Sequence, residues 1–117
     1  MVINGKERHF AFTVKAFKAV SKLCRNGDLS NVAELFEGGS GETVENMGQL
    51  ALILNDAYIS AMRLQGVDAE DERLTTDELD SMALAQWAEL SQEVNTAMTE
   101  KGEIVLADSK KNAKAVG

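Results

Sequence analysis

The side chains able to do covalent or acid–base chemistry are few in this chain and poorly placed for it. There is one histidine, His9, and one cysteine, Cys24. A nucleophile needs a base within hydrogen-bond reach and a third group to orient that base. No local motif links these two residues, which read as a surface or half-buried histidine and a packed cysteine. Metal chemistry fails on spacing, since H-x-x-x-H and C-x-x-C are both missing. Read as a calcium loop from Asp68, the acidic stretch Asp68–Asp80 has Arg73 where the mid-loop glycine belongs and Leu79 where the closing glutamate belongs. The glycine-rich run before Thr43 resembles a phosphate loop only in composition. It has no P-loop lysine, and Glu42 and Glu45 repel an anion from the helix start that follows. Glu70, Asp71 and Glu72 are consecutive and solvated, so they define no acid–base pair. The expectation is a protein that is not an enzyme, with no catalytic, cofactor-binding or metal-binding residues and no small-molecule substrate.

The elements that position these residues are mostly helical. Asn4-Gly5 is the preferred pair for a type I′ turn, because both positions need positive φ. It predicts a β-hairpin over Met1–Phe12, with Phe10 and Phe12 on one face and His9 and Ala11 on the other. Thr13 can cap a helix running to about Arg25, stopped by Asn26-Gly27. A short helix, Ser30 to Glu37, and a glycine break at 38–41 follow. The longest apolar run, Thr43–Gln65, is a helix ended by Gly66. The loop Val67–Leu74 reads as acidic and mobile. Thr75 and Glu78 have capping-box spacing and start a last helix, Thr76 to Lys101. Its apolar stripe is Leu79, Ala83, Trp87, Leu90, Val94 and Ala97 or Met98, with Gly102 as its stop. Glu103–Ala107 could add a strand, and Ser109–Gly117 reads as a flexible tail. The fold class is mainly α (α+β): an N-terminal β-hairpin packed on a bundle of three to four helices, in a single domain spanning 1–108.

Two features exceed what a plain helical core needs. The apolar arc of the Thr43–Gln65 helix covers more than half its circumference, and Leu52 and Ile59 lie seven residues apart on the side away from the main arc. Other helices of the same domain can cover both sides. Alternatively, Leu52 and Ile59 mark a protein-binding face for a second chain. The second feature is a basic stripe, Lys15, Lys18, Lys22 and Arg25, on one side of the first helix. It reads as a solvated face, or as a protein-binding surface that meets Asp68–Asp80 of the same chain or of a neighbour. Between copies, such a head-to-tail contact generates rings or open spirals and weakens with salt.

Composition narrows the class. With 117 residues the chain is one domain. Its net charge of −7 argues against nucleic acid as a partner. The central apolar helix carries Glu45, Asn46, Gln49, Asn55, Asp56 and Arg63, so a membrane-spanning role is not expected. A single cysteine fits a reducing cytosol, and MVINGKERHF shows no apolar leader. Cytoplasmic location is the expectation.

The run V-I-N-G-K-x-x-x-F-x-F at Val2–Phe12, followed by S-K-L-C-R-N-G-D-L at Ser21–Leu29, resembles the tail assembly chaperones of long-tailed bacteriophages and prophages of Gram-positive bacteria. The likeness covers the whole chain in layout and Val2–Leu29 in wording. It implies a cytosolic, non-enzymatic helper that binds and solubilises the tape-measure protein, helps recruit the major tail protein and self-associates. It also implies a longer form made by ribosomal frameshifting, for which Lys110-Lys111 could be encoded by a slippery run. The alternative is a small cytosolic helical adaptor or regulatory protein, not phage-derived, acting by protein–protein contact.

Overall fold

The computed structural model describes residues 1–36 and 40–101. Asn4 (φ 56°) and Gly5 (φ 79°) make the expected left-handed turn, joining β1 (Val2–Ile3) to β2 (Lys6–Glu7) in an antiparallel pair, Val2 opposite Glu7 and Ile3 opposite Lys6. The ladder is shorter than the alternation suggests. Past Arg8, whose amide donates to the Met1 carbonyl, the chain stays extended but finds its partners on a helix. The Ala11 amide donates to the Leu54 carbonyl at 3.1 Å, and the His9 carbonyl accepts from Asn55 Nδ2 at the same distance. Phe10 and Phe12 are buried in this arrangement, while His9 stays exposed and stacks on Tyr58.

Thr13 caps α1 (Val14–Leu23), its hydroxyl accepting from the Ala16 amide. A 3-10 turn at Arg25–Gly27 and a 3-10 run at Leu29–Phe36 follow, where an α-helix was expected. Asp28 starts that run, its carboxylate accepting from the Ser30 amide. The central helix α2 (Ser40–Leu64) begins three residues before the expected Thr43. Gly66 (φ 83°) ends it in a Schellman arrangement, with the Val67 amide bonded to the Met62 carbonyl and the Gly66 amide to Arg63. Then come a 3-10 turn at Glu70–Glu72, α3 (Thr76–Asp80) and α4 (Leu84–Thr96), which widens into a π turn over Ala97–Lys101. The predicted strand Glu103–Ala107 and tail Ser109–Gly117 lie outside the described residues, as do residues 38 and 39 of the glycine break, whose other two residues, Ser40 and Gly41, open α2.

The expected last helix is therefore two helices. Ser81 (φ −91°, ψ −2°) closes α3, and Ala83 turns extended (φ −70°, ψ 152°) before α4. Neither glycine nor proline marks the break. It is tertiary in origin: Glu78 holds α3 against the hairpin, while α4 packs its Leu90, Val94 and Ala97 into the core. Ala83, placed in the apolar stripe by its spacing, is exposed at the break.

All these elements converge on α2, which contacts α1, the 3-10 run, α3, α4 and the Glu70–Glu72 turn. Leu50, Ala51, Leu54 and Ala57 are its fully buried apolar residues in the main core. Removing a leucine side chain from water stabilises the fold by about 1.5–3 kcal/mol. The chain's own packing thus accounts for the buried part of the over-wide arc, while Val44 and Leu64 on it stay exposed. Gly48 shows how closely: a Cβ there would lie 3.4 Å from Trp87 Cη2.

Candidate functional site

The residues singled out by sequence do not assemble into one surface. Ile59 is 1 % exposed, because the loop after Gly66 folds back over it. Ala69, itself buried, lines the same small depression. Leu52 is half-buried against the main core. Of the two readings, coverage by the same domain holds at Ile59, which is closed by an element of its own chain whose acidic sequence concealed a buried alanine.

The basic stripe is divided. Lys15 Nζ lies 2.9 Å from Asp56 Oδ2 and donates to Ser60 Oγ, which ties α1 to α2. Arg25 makes a two-toothed pair with Glu34, which raises the guanidinium pKa and lowers that of Glu34. Lys18 and Lys22 are exposed and form no ion pair among the described residues. The acidic stretch offered as a partner for the stripe is held by other cations. Arg63 and Arg73 both bind Glu70 and hold its carboxyl down at about 2. Arg73 also reaches Asp56, the main cause of that carboxyl's lowered pKa. These pairs are largely exposed, so water and salt screen each of them. Their joint effect is positional: a loop expected to be mobile is pinned to α2.

Two buried polar residues do the deeper fastening, and sequence reasoning missed both roles. Arg8 is 2 % exposed and makes a bidentate pair with Glu78, with Nη2 2.7 Å from Oε2. Its Nη1 also donates to the Arg73 carbonyl, and its Nε has no partner among the described residues. Glu78 completes the capping box with Thr75 and accepts from Asn4 Nδ2, and Arg8 first of all holds its carboxyl at about 2. Asn55 is the second fastener. Its Nδ2 donates to the carbonyls of His9 and Glu72, and its Oδ1 accepts from Leu74. The available signal was its place between Ala51 and Tyr58 on the apolar arc, since an amide there must be hydrogen-bonded when buried.

His9 and Cys24 are far apart in role. His9 Nδ1 sits 2.8 Å from Glu72 Oε1 on the surface. Cys24 is buried, its thiol bonded to the Val20 carbonyl and pushed up in pKa by desolvation. No group of three or more His, Cys, Asp or Glu poised for a metal occurs among the described residues, and no described helix is long and apolar enough to cross a membrane.

Among the described residues the packing leaves an apolar groove of about 630 Å³ between the 3-10 run, the first half of α2 and the end of α4. Phe12 and Leu50 form part of its lining, with Leu29 and Val32 on one wall and Met47, Val94 and Met98 on the other sides. Its polar lining is uncharged: Ser30, Ser91, Gln92, Asn95 and Thr99. The Ser91 and Thr99 hydroxyls are bonded to backbone carbonyls one turn earlier, which leaves the Ser30 hydroxyl and the amides of Gln92 and Asn95 as the groove's other polar groups among the described residues. Among the described residues its lining holds no Asp, Glu, His, Cys, Lys or Arg and offers apolar contacts and uncharged hydrogen-bonding groups. Compared with protein-family models, characterised proteins and solved structures, the chain matches none.

Proposed function

We propose that this chain is a tail assembly chaperone that binds and solubilises the apolar helices of a tape-measure protein. The observation that carries the reading is the groove: an apolar trough with two adaptable thioethers and no charged lining residue. An amphipathic helix docks in such a trough through its i, i+3, i+4 and i+7 side chains, and methionines re-pack around varied partners. The resemblance of Val2–Leu29 to that family is what points the reading to a tape-measure protein. Recruitment of the major tail protein, self-association and action in the host cytoplasm belong to the same proposal. Co-expression tests it. The tape-measure protein should move from the pellet to the soluble fraction when this chain is present, and an unchanged distribution would sink the reading.

A further inference from the structure

We propose that α1 of one copy docks on the α3–α4 corner of a second copy of this chain. The two surfaces are opposite in sign, and both carry exposed apolar side chains. On the first, Val14–Leu23 contains lysines and no acid. Lys15 is turned to Asp56 of α2, which leaves Lys18 and Lys22 exposed and outside every ion pair among the described residues. Val14, Lys18 and Lys22 are spaced by four and share one ridge of the helix, with Phe17 beside it. Val14 is 59 % exposed and Phe17 36 %. The Phe17 ring is braced by the buried Phe12, with centroids 6.1 Å apart, so this apolar contact is already in place before a partner arrives.

The corner is the reverse. Residues 75–99 contain no Lys or Arg. Glu78 is taken by Arg8, whereas Asp77 and Asp80 are exposed and form no ion pair among the described residues. Beyond them Leu84 is 84 % exposed, followed by the exposed Ala85 and Ala88, whose small side chains let a facing helix approach closely. Run antiparallel, Val14 and Phe17 of one copy lie on Leu84 and the alanines of the other, and Lys18 and Lys22 come to Asp80 and Asp77. Within one copy these four charges do not pair. One chain thus carries both halves of the contact, and that makes a second copy the partner. The two halves are different surfaces, so the contact is heterologous and repeats into a ring or an open chain. It is small and its ion pairs are exposed, which makes it weak and salt-sensitive. The contact rests on the self-association in the chaperone reading only for its role. Neither half lines the groove, so its failure and the failure of client capture are distinguishable.

Sedimentation of the full chain across protein and salt concentration decides it. The average mass should rise with concentration at low salt and fall back as salt is added. Lys18→Glu/Lys22→Glu should weaken association about tenfold, and Asp77→Lys/Asp80→Lys as much. Mixing the two charge-reversed chains should restore it, because one is then acidic and the other basic at both surfaces. Val14→Asp should weaken it too, whereas Leu64→Asp, on an exposed leucine outside both surfaces, should not. All of these are surface changes, and far-UV circular dichroism should be that of the parent. A monomer under every condition overturns the proposal, as does association that charge reversal leaves intact or that mixing fails to restore. Equal weakening by Leu64→Asp overturns it as well, by assigning association to general surface hydrophobicity.

Discussion

Asn55 Oδ1 accepts the Leu74 amide at 2.8 Å, joining the middle of α2 to a residue nineteen positions later. Asn55 is 1 % exposed, and its amide nitrogen is spent on the His9 and Glu72 carbonyls. One side chain therefore satisfies three backbone groups from two segments that lie outside the α-helices. Asn55→Ala leaves all three short of a partner. The expected loss is on the order of 2–4 kcal/mol by urea denaturation. A loss below about 1 kcal/mol would mean that water replaces the amide at little cost.

The Arg8–Glu78 pair makes stability depend on acidity. Glu78 titrates at about 2 in the folded chain against an ordinary 4.5, so the folded state favours its ionised form. The stabilisation is complete above the ordinary value and is lost as pH falls through the folded one. Glu78→Gln leaves a buried guanidinium facing a neutral partner and should cost about 2 kcal/mol near neutrality, less than a fully buried pair because Glu78 keeps 17 % exposure. Measured against the parent chain, that deficit should shrink steadily from about pH 5 to about pH 3. A deficit that stays constant with pH would remove the ion pair as its cause.

Gly48 sits inside α2, where glycine costs about 1 kcal/mol relative to alanine. The space it leaves is small but real: an added Cβ meets Trp87 Cη2 at 3.4 Å and Leu79 Cδ1 at 3.6 Å, both ordinary contacts. Gly48→Ala should therefore raise the thermal midpoint, by about 0.5–1 kcal/mol of stability. Gly48→Leu drives a branched side chain into the indole and should cost about 1–3 kcal/mol, with a change in tryptophan emission. If alanine destabilises as leucine does, the α2–α4 approach is tighter than these distances.

These residues also show which parts of the structure the sequence announces. The Asn4-Gly5 turn, the Thr13 cap, the Thr75/Glu78 capping box and the Gly66 stop are all present, because each is decided within about six residues. The break between α3 and α4 has no local signal, since Ser81, Met82 and Ala83 are tolerable helix residues and the cause is a pair formed seventy positions away. Arg8 follows β2 in what reads as a polar stretch, and nothing local tells it from an exposed arginine. Ile59 looked available because its cover, Ala69, sits in a run that reads as acidic loop. The groove was legible only as scattered apolar residues. Four separate segments build it, and no periodicity within one helix reports a trough between several.

The groove and the rest of the surface make opposite predictions for client binding. Leu64 and Leu84 are the more exposed leucines, at 90 % and 84 %, and neither lines the groove. If exposed apolar area alone captured the tape-measure protein, Leu64→Asp and Leu84→Asp would weaken capture most. If the trough does it, Val32→Asp and Met98→Asp should abolish co-solubilisation while the leucine variants behave as the parent. Val32 and Met98 are only partly buried, so a charge at either site can reach water and the fold should survive, which a thermal scan verifies. Equal losses from both pairs of variants would assign capture to diffuse surface hydrophobicity rather than to the groove.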